Sequence, residues 1–375
     1  MKRKVLCVCA LLTFFSLLIL TPVLNAQDFE LRGRLHMDAF WGLDDTDEFS
    51  NGFNNRRARI GVNGSLLEKW DGRIEVDFAE GDVSPNDFRL RRSFNHGGRL
   101  WLGQFKVPQG LNELTSSNNI TFIERAANSN IITDAWRMGI AYEYSGSHGG
   151  MKSMIFGRAL GEKSSIEGDM PLGIALRGIY TPKLAGGTVH LGGSVVYEDL
   201  KDNRSIKFSD RPEARDSKGG KALISLAIEN PNLNSTLKKG LEAAYLLGSF
   251  SLAAEYLQVN VDLKSAGNPT FGGWHLQSSY IFGGKRTYSD GTFDGVKLDN
   301  QTGAWEIGAR LSYMDLNDSN YIGGKQRNIT VALNHYAAAN LRFMLNVIFV
   351  DVTDRPGDLT DTSPVISSLR AMYYF

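Results

Sequence analysis

The chain has 375 residues, with 41 basic and 41 acidic side chains. That balance gives no support to a general nucleic-acid binder, which would carry a basic surplus. Its two cysteines, Cys7 and Cys9, both lie near the start, so a disulfide framework and a thiol nucleophile are excluded from the rest of the sequence. Lys2, Arg3 and Lys4 precede the apolar run "VLCVCALLTFFSLLIL", and "TPVLNA" then ends on the small residue Ala26. This reads as a cleaved secretory signal over residues 1–26, because the run is short for a spanning helix and no charged stop-transfer segment follows. Losing it takes the basic residues from 41 to 38 against 41 acidic ones, a net charge of −3. No linker, low-complexity block or shift in composition divides residues 27–375, so one continuous domain is expected.

The dominant period from there on is two. "FELRGRLHMDAFW" puts Phe29, Leu31, Leu35, Met37 and Trp41 on one face, and Glu30, Arg32, Arg34, His36 and Asp38 on the other. "RRARIGV" sets Ala58, Ile60 and Val62 against Arg57, Arg59 and Gly61, while "RIEVDFAE" sets Ile74, Val76 and Phe78 against Arg73, Glu75 and Asp77. "DFRLRRSF" puts Phe88, Leu90 and Phe94 opposite Arg89 and Arg91. The same alternation runs through "WEIGARLSY" and "NLRFMLNVIFV". Strict alternation means strands with one apolar and one polar face.

Short turns at 95–98, 145–150, 247–250 and 336–340 alternate with long polar segments at 42–54, 108–135, 200–219, 262–271, 315–324 and 352–363. Antiparallel strands of this kind, with short turns at one end and long loops at the other, describe an all-β transmembrane barrel. A soluble two-sheet protein also alternates. It would leave unexplained the aromatic residues near strand ends (Trp41, Trp101, Trp136, Tyr180, Trp274, Trp305), which suit membrane-interface girdles. It would also leave unexplained the final strand "VISSLRAMYYF", whose terminal Phe375 resembles the signal read by the outer-membrane assembly machinery of Gram-negative bacteria. About seventeen strand candidates can be counted, and a closed barrel of this class needs an even number. "KALISLAIEN" at 221–230 is flanked by polar segments and is assigned to a loop between strands at 187–199 and 239–247. That leaves about sixteen strands, a size that encloses an aqueous channel.

Parity then orients the arginines. A lipid-facing arginine at mid-bilayer costs about 2–4 kcal/mol, so Arg32, Arg34, Arg57, Arg59, Arg89 and Arg91 are expected to face the lumen. Arg56 has outward parity and is expected at the headgroups, where its stem can snorkel. Lys106 shares parity with Gln104, although Leu100 and Leu102 share it too. Two readings of the inward arginines stand side by side. They form an anion path, because the guanidinium fork suits oxyanions and successive weak sites pass an ion along. Alternatively they brace the wall against Glu30, Asp38, Glu75, Asp77 and Asp87, which share the inward faces.

"NNRRARIGVNG", "LWLGQFKVPQGLNELTSSNNITFIER", "GAWEIGARLSYMDLND" and "ITVALNHYAAANLRFMLNVIFVDV" resemble the phosphate-selective porin O and P family. The resemblance spans nearly the whole chain after the leader and is weakest at 145–235. It implies a trimer of sixteen-stranded barrels, a third loop folded inward, and an arginine ladder with lysines at the mouth. The third loop corresponds to 108–135, with Lys106 at its entrance. Arg34, Arg57 and Arg59 fall in segments matching the first two strands, which supply ladder residues in that family. The implied partners are phosphate or other small anions, outer-membrane lipid and lipopolysaccharide, with Phe375 presented to the assembly machinery.

Other constellations are weak. "DDTDE" at 44–48 reads as an exposed acidic loop before it reads as a divalent-cation site. The six histidines lack metal-ligand spacing, and there is no "GxxxxGK" and no "GxSxG". No catalytic residue, metal or cofactor is expected. The expected function is passive passage of small anions, phosphate or related oxyanions, along the inward arginines; a general diffusion porin without phosphate preference and a surface receptor or adhesin barrel are the alternatives.

Overall fold

The computed structural model describes residues 28–45, 49, 51–162, 171–200, 205–215, 222–229, 233–264 and 267–375. The expected leader at 1–26 lies outside the described residues, as do residues 46–48 of the acidic segment. The wall begins with β1 (Asp28–Asp44), β2 (Gly52–Leu67), β3 (Trp70–Asp77), β4 (Ser84–Ser93) and β5 (Gly98–Lys106). After a long loop it continues with β6 (Trp136–Gly146), β7 (Gly149–Phe156), β8 (Gly173–Tyr180), the two-residue β9 (Lys183–Leu184) and β10 (Gly187–Asp199). A hairpin, β11 (Ser205–Asp210) and β12 (Ile224–Glu229), interrupts it before β13 (Leu233–Leu247), β14 (Phe250–Leu263) and β15 (Thr270–Phe282). A second hairpin, β16 (Gly284–Ser289) and β17 (Thr292–Leu298), precedes β18 (Ala304–Asp318), β19 (Tyr321–Ala338), β20 (Leu341–Thr353) and β21 (Val365–Tyr374).

Neighbours pair antiparallel around a closed barrel of sixteen strands, with β9 an appendage of β10. Closure is made by β1 and β21, in register from Arg34↔Tyr374 to Asp44↔Val365. Phe375 completes the seam. Its N–H donates to the Gly33 carbonyl at 3.1 Å and its carbonyl accepts from the Gly33 N–H at 2.9 Å. The Phe375 ring lies over Gly33, where an added Cβ would stand 2.5 Å from it. The outer surface exposes Ile140, Ile155, Ile174, Leu241, Ile307 and Val331. An apolar band of this kind is what a lipid-facing wall requires.

The loop at 107–135 folds into the lumen, carrying two short helices, Leu111–Leu114 and Ala127–Ile132. The segment at 221–230, assigned to a loop from its flanks, supplies β12, which pairs with β11 rather than with the wall. Ile224, Leu226, Ile228 and Phe208 of this hairpin pack on Val259, Val261, Phe271, Leu316 and Val350 of the wall. The loop end of the lumen is therefore filled by apolar contact on the β14–β20 side.

Two expectations change. The segment at 315–324 is not a long loop, since β18 and β19 run to within two residues of each other. At the other end, β15 and β18 are joined through the β16–β17 hairpin, to which the sequence reading assigns no element, and its tip also enters the lumen. Its tip is Asp290-Gly291, both with positive φ (44° and 78°), the turn that Asp-Gly favours between two strands. Finally, Trp101 and Trp136 do not belong to an aromatic girdle: both line the lumen.

Candidate functional site: a cation-lined channel

A cavity of about 570 Å³ runs beside the third loop, on the β1–β8 side of the barrel. Fourteen basic side chains line it: Arg32, Arg34, Arg56, Arg57, Arg59, Arg73, Arg89, Arg91, Arg99, Lys106, Arg125, Lys152, Arg177 and Arg215. Five carboxylates face it: Glu75, Asp87, Glu113, Glu143 and Asp290. All seven residues singled out from the sequence, Arg32, Arg34, Arg57, Arg59, Arg89, Arg91 and Lys106, are in the lining.

Strand register explains how they gather. Arg34 is paired across the strands with Arg59, and Arg59 in turn with Asp77. Arg73 is paired with Arg89, and Arg91 with Trp101. Arg34 donates to the third-loop hydroxyl of Ser117 at 3.1 Å and to Glu75 at 3.2 Å. Glu75 is a shared counter-ion, 3.7 Å from Arg32 and 3.4 Å from Arg59. Arg59 also binds Asp77 at 2.7 Å. Arg91 binds Asp71 at 2.8 Å, and Arg89 stands 3.7 Å from the same carboxylate. Bracing of the wall is thus present. It leaves the cavity lining with more basic than acidic groups.

Arg56 is a correction. The register between β1 and β2 slips between His36 and Met37, so that Arg57 pairs with His36 and Asn55 with Met37. Arg56 is the extra residue of this bulge. A bulge re-aims a side chain, and here it puts consecutive arginines inside. Arg56 lines the cavity and donates to Glu124 at 2.8 Å and 3.1 Å. β5 has its own break. Arg99 and Trp101 face the cavity, so Leu100 and Leu102 take the opposite face, but beyond Gly103 both Phe105 and Lys106 reach the lining. Gly103 has φ 109°, and a Cβ there would meet the Phe88 carbonyl at 2.2 Å. Lys106 reaches Glu113 of the third loop at 2.7 Å. Burial alone would push the Glu113 carboxyl up, but Arg125 and then Lys106 hold it below the usual range.

The two lumenal tryptophans are platforms for cations. Trp101 carries Lys152 at 3.5 Å, Arg89 at 4.4 Å and Arg91 at 5.3 Å from its ring centre. Trp136 carries Arg59 at 5.1 Å and Lys106 at 5.2 Å.

A family model described as phosphate-selective porin O and P matches residues 29–375. The chain belongs to this family. It is similar to Porin O of Pseudomonas aeruginosa, at 26% identity over 295 residues, which are 71% of this chain and 67% of that protein. Among solved structures, OprB of Pseudomonas putida superposes with a TM-score of 0.63 at 9% identity, covering 92% of this chain and 94% of that one. An anion-selective porin from Comamonas acidovorans gives 0.58 at 14% identity, covering 93% and 99%. At such identities these two likenesses are of fold. The chain is an outer-membrane β-barrel porin.

This porin has a second set of lumenal arginines that parity alone did not distinguish. Arg342 donates to the third-loop carbonyls of Ile120 at 2.8 Å and Thr121 at 3.1 Å. Arg370 donates to the Ile123 carbonyl and grips Asp38 through two contacts of 2.6 Å. Arg310 takes the Glu124 carbonyl at 2.9 Å, and Arg286 of the lower hairpin takes that of Asn119. Backbone carbonyls carried into a lumen need donors, and these four arginines supply them. Glu255 does the converse, accepting from Ser129 at 2.8 Å and from the Asn112 N–H at 3.2 Å.

Proposed function

We propose that the porin is a passive channel for small anions, with phosphate or related oxyanions favoured. The observation that carries this reading is the lining of the cavity, fourteen basic groups against five carboxylates contributed by the β1–β8 wall, the third loop and the inserted hairpins. In a narrow, low-dielectric passage such a surplus focuses a positive field, raising the local concentration of anions and repelling cations. Arg32, Arg34, Arg57, Arg59, Arg89, Arg91 and Lys106 act as successive weak sites, each partly satisfied by a carboxylate so that none traps the ion. Near the third loop, Arg34 stands beside the hydroxyls of Ser116 and Ser117, and guanidinium with hydroxyl donors suits a tetrahedral oxyanion. The family's description as phosphate-selective supports the same reading. The chemistry is transport without a reaction. In the cell the chain loses residues 1–26 on export, presents Phe375 to the barrel-assembly machinery, and works as a homotrimer among outer-membrane lipid and lipopolysaccharide.

Planar bilayers test it. Reversal potentials in a chloride gradient should show anion preference, and phosphate should block chloride current. Arg59→Ala should weaken both. Arg59→Lys should keep the preference for anions but lose part of the block, because an ammonium lacks the planar fork. Cation preference in the wild type would overturn the anion channel. Anion preference without phosphate block would leave a general anion-preferring porin. Unchanged selectivity in Arg59→Ala with lowered barrel stability would reduce that arginine to a brace.

A further inference from the structure

The periplasmic hairpin β16–β17 does more than narrow the exit. Asp290 at its tip faces the same cavity as the arginine track. Arg99 holds it with both arms of the guanidinium, Nη1 to Oδ2 at 2.9 Å and Nη2 to Oδ1 at 3.1 Å. The next residue, Gly291, accepts from Arg177 Nη2 through its carbonyl at 2.8 Å. Arg91 and Lys152, gathered on Trp101, act on the Asp290 carboxylate as further positive charges. Each of these cations has another carboxylate within reach. Arg91 has Asp71 at 2.8 Å and Arg177 has Glu242 at 2.6 Å, while Glu143 is shared by Arg99 at 3.5 Å and Lys152 at 3.7 Å. Four cations thus meet Asp71, Glu143 and Glu242, and Asp290 supplies the fourth negative charge. Its side chain remains 52% exposed.

We propose that Arg91, Arg99, Lys152 and Arg177 form a second oxyanion site at the periplasmic end of the track, and that Asp290 is its tethered resident ligand, which a permeating anion must displace. The proposal rests on the anion-channel reading. A carboxylate presents two oxygens to a guanidinium fork as a phosphate does. Because it is tethered, it competes at a high effective concentration whatever the solute level. An anion arriving from the third-loop region exchanges with Asp290, and Asp290 then reclaims Arg99, so the ion leaves toward the periplasm instead of being retained. The hydrogen bond from Arg99 holds the Asp290 carboxyl below its usual range despite partial burial, so the competitor stays charged through neutral pH.

The test is block of chloride current by inorganic phosphate, added to one side of the bilayer at a time, for the wild type, Asp290→Asn, Asp290→Glu, Arg99→Met and the Asp290→Asn/Arg99→Met double variant. Asp290→Asn should lower the half-blocking phosphate concentration from the periplasmic side by roughly threefold or more, with a smaller change from the outside. Asp290→Glu, which keeps the charge, should leave the half-block closer to the wild type than Asp290→Asn does, and the double variant should behave like Arg99→Met alone. An unchanged periplasmic half-block in Asp290→Asn overturns the proposal. So does a larger conductance without tighter block, which would mean the hairpin had simply left the lumen. So does the same shift in the Arg99→Met background. A wild type that phosphate blocks from neither side fails the phosphate preference on which the proposal rests, before any variant is compared.

Discussion

The wall of β1–β6 and the wall of β18–β21 present arginine to the lumen with the same parity and for the same reason, the high cost of that side chain in lipid. They use it in different ways. On the first wall Arg32 keeps a quarter of its side chain exposed, and the more enclosed Arg34, Arg57 and Arg89 still border the cavity and share carboxylates with their neighbours. On the second, Arg342 and Arg370 are 1% and 2% exposed, and their donors end on third-loop carbonyls. Alternation decides which side of a strand a guanidinium takes. What it meets there depends on a loop that folds in from elsewhere. An arginine facing open space is available to a solute, and one that meets a buried carbonyl is part of the scaffold.

The largest expected effect breaks the second wall. Arg370 holds Asp38 at 2.6 Å and Glu124 at 2.8 Å, all fully enclosed. Arg370→Met would strand the Asp38 carboxylate and release the Ile123 carbonyl, while Glu124 keeps Arg56. Removing one partner of a buried ion pair typically costs about 3–5 kcal/mol. The measured outcome should be a sharp fall in folded barrel, read as lost heat-modifiable mobility and a lower urea midpoint. The fraction that does fold should keep its ion preference. A variant of full stability with altered selectivity would put Arg370 in the conduction path and erase the contrast between the walls.

Much of this was legible in the residues. Strand alternation, the strand count and the surplus of β12 all follow from local pattern, because a lipid face on one side and water on the other impose a period of two. The lumenal position of Arg32, Arg34, Arg57, Arg59, Arg89, Arg91 and Lys106 was reachable because parity and the cost of charge in lipid act on each strand separately. Arg56 was not, since a bulge is a property of two paired strands and "NNRRAR" alone does not show the slip. Trp101 and Trp136 were misread because a tryptophan near a strand end suits a membrane interface and a cation platform equally. The β16–β17 hairpin did leave a signal, "YSDGTF" with Asp-Gly between alternating strands, and could have been found. The third-loop clamp could not. Nothing local to Arg310, Arg342 or Arg370 says that residues 119–124 arrive opposite them.

Asp210 sharpens the comparison where the filled and open parts of the lumen meet. It ends β11, accepts from Asn130 of the third loop at 2.8 Å, and lies among Arg215, the Arg211 N–H and Glu124. Burial pushes its carboxyl up to about 6, against an ordinary value of 3.8. The folded protein therefore binds this proton more tightly than the unfolded chain, and stability from this group rises as pH falls from about 6 toward 4 and is lost on the way back up. The upper figure is about 3 kcal/mol, at 1.36 kcal/mol per unit. Asp210→Asn should raise stability at pH 7 and flatten the urea midpoint between pH 4 and 6. If the wild-type midpoint falls monotonically with acid over that range and the variant follows it in parallel, Asp210 is not the group that titrates.

The smallest effect concerns the first wall. Trp101 lies under Arg89, Arg91 and Lys152, yet these cations also have Asp71, Asp87 and Glu143 nearby. Either the ring or the carboxylates set where the positive charges stand. A cation–π contact is worth about 0.5–1 kcal/mol when exposed and about 2 when desolvated. Trp101→Leu keeps apolar contact with Phe105 but removes the ring's negative face. If the ring positions the track, the phosphate concentration for half-block should rise by about fivefold, the equivalent of roughly 1 kcal/mol. Trp101→Phe, with a weaker quadrupole, should fall between. If Trp101→Leu lowers the urea midpoint and leaves the block untouched, the carboxylates alone place the arginines and the indole is packing. That result would make the two walls more alike than their exposures suggest, each fixed by its ion pairs, with only the third loop's position separating an open guanidinium from a closed one.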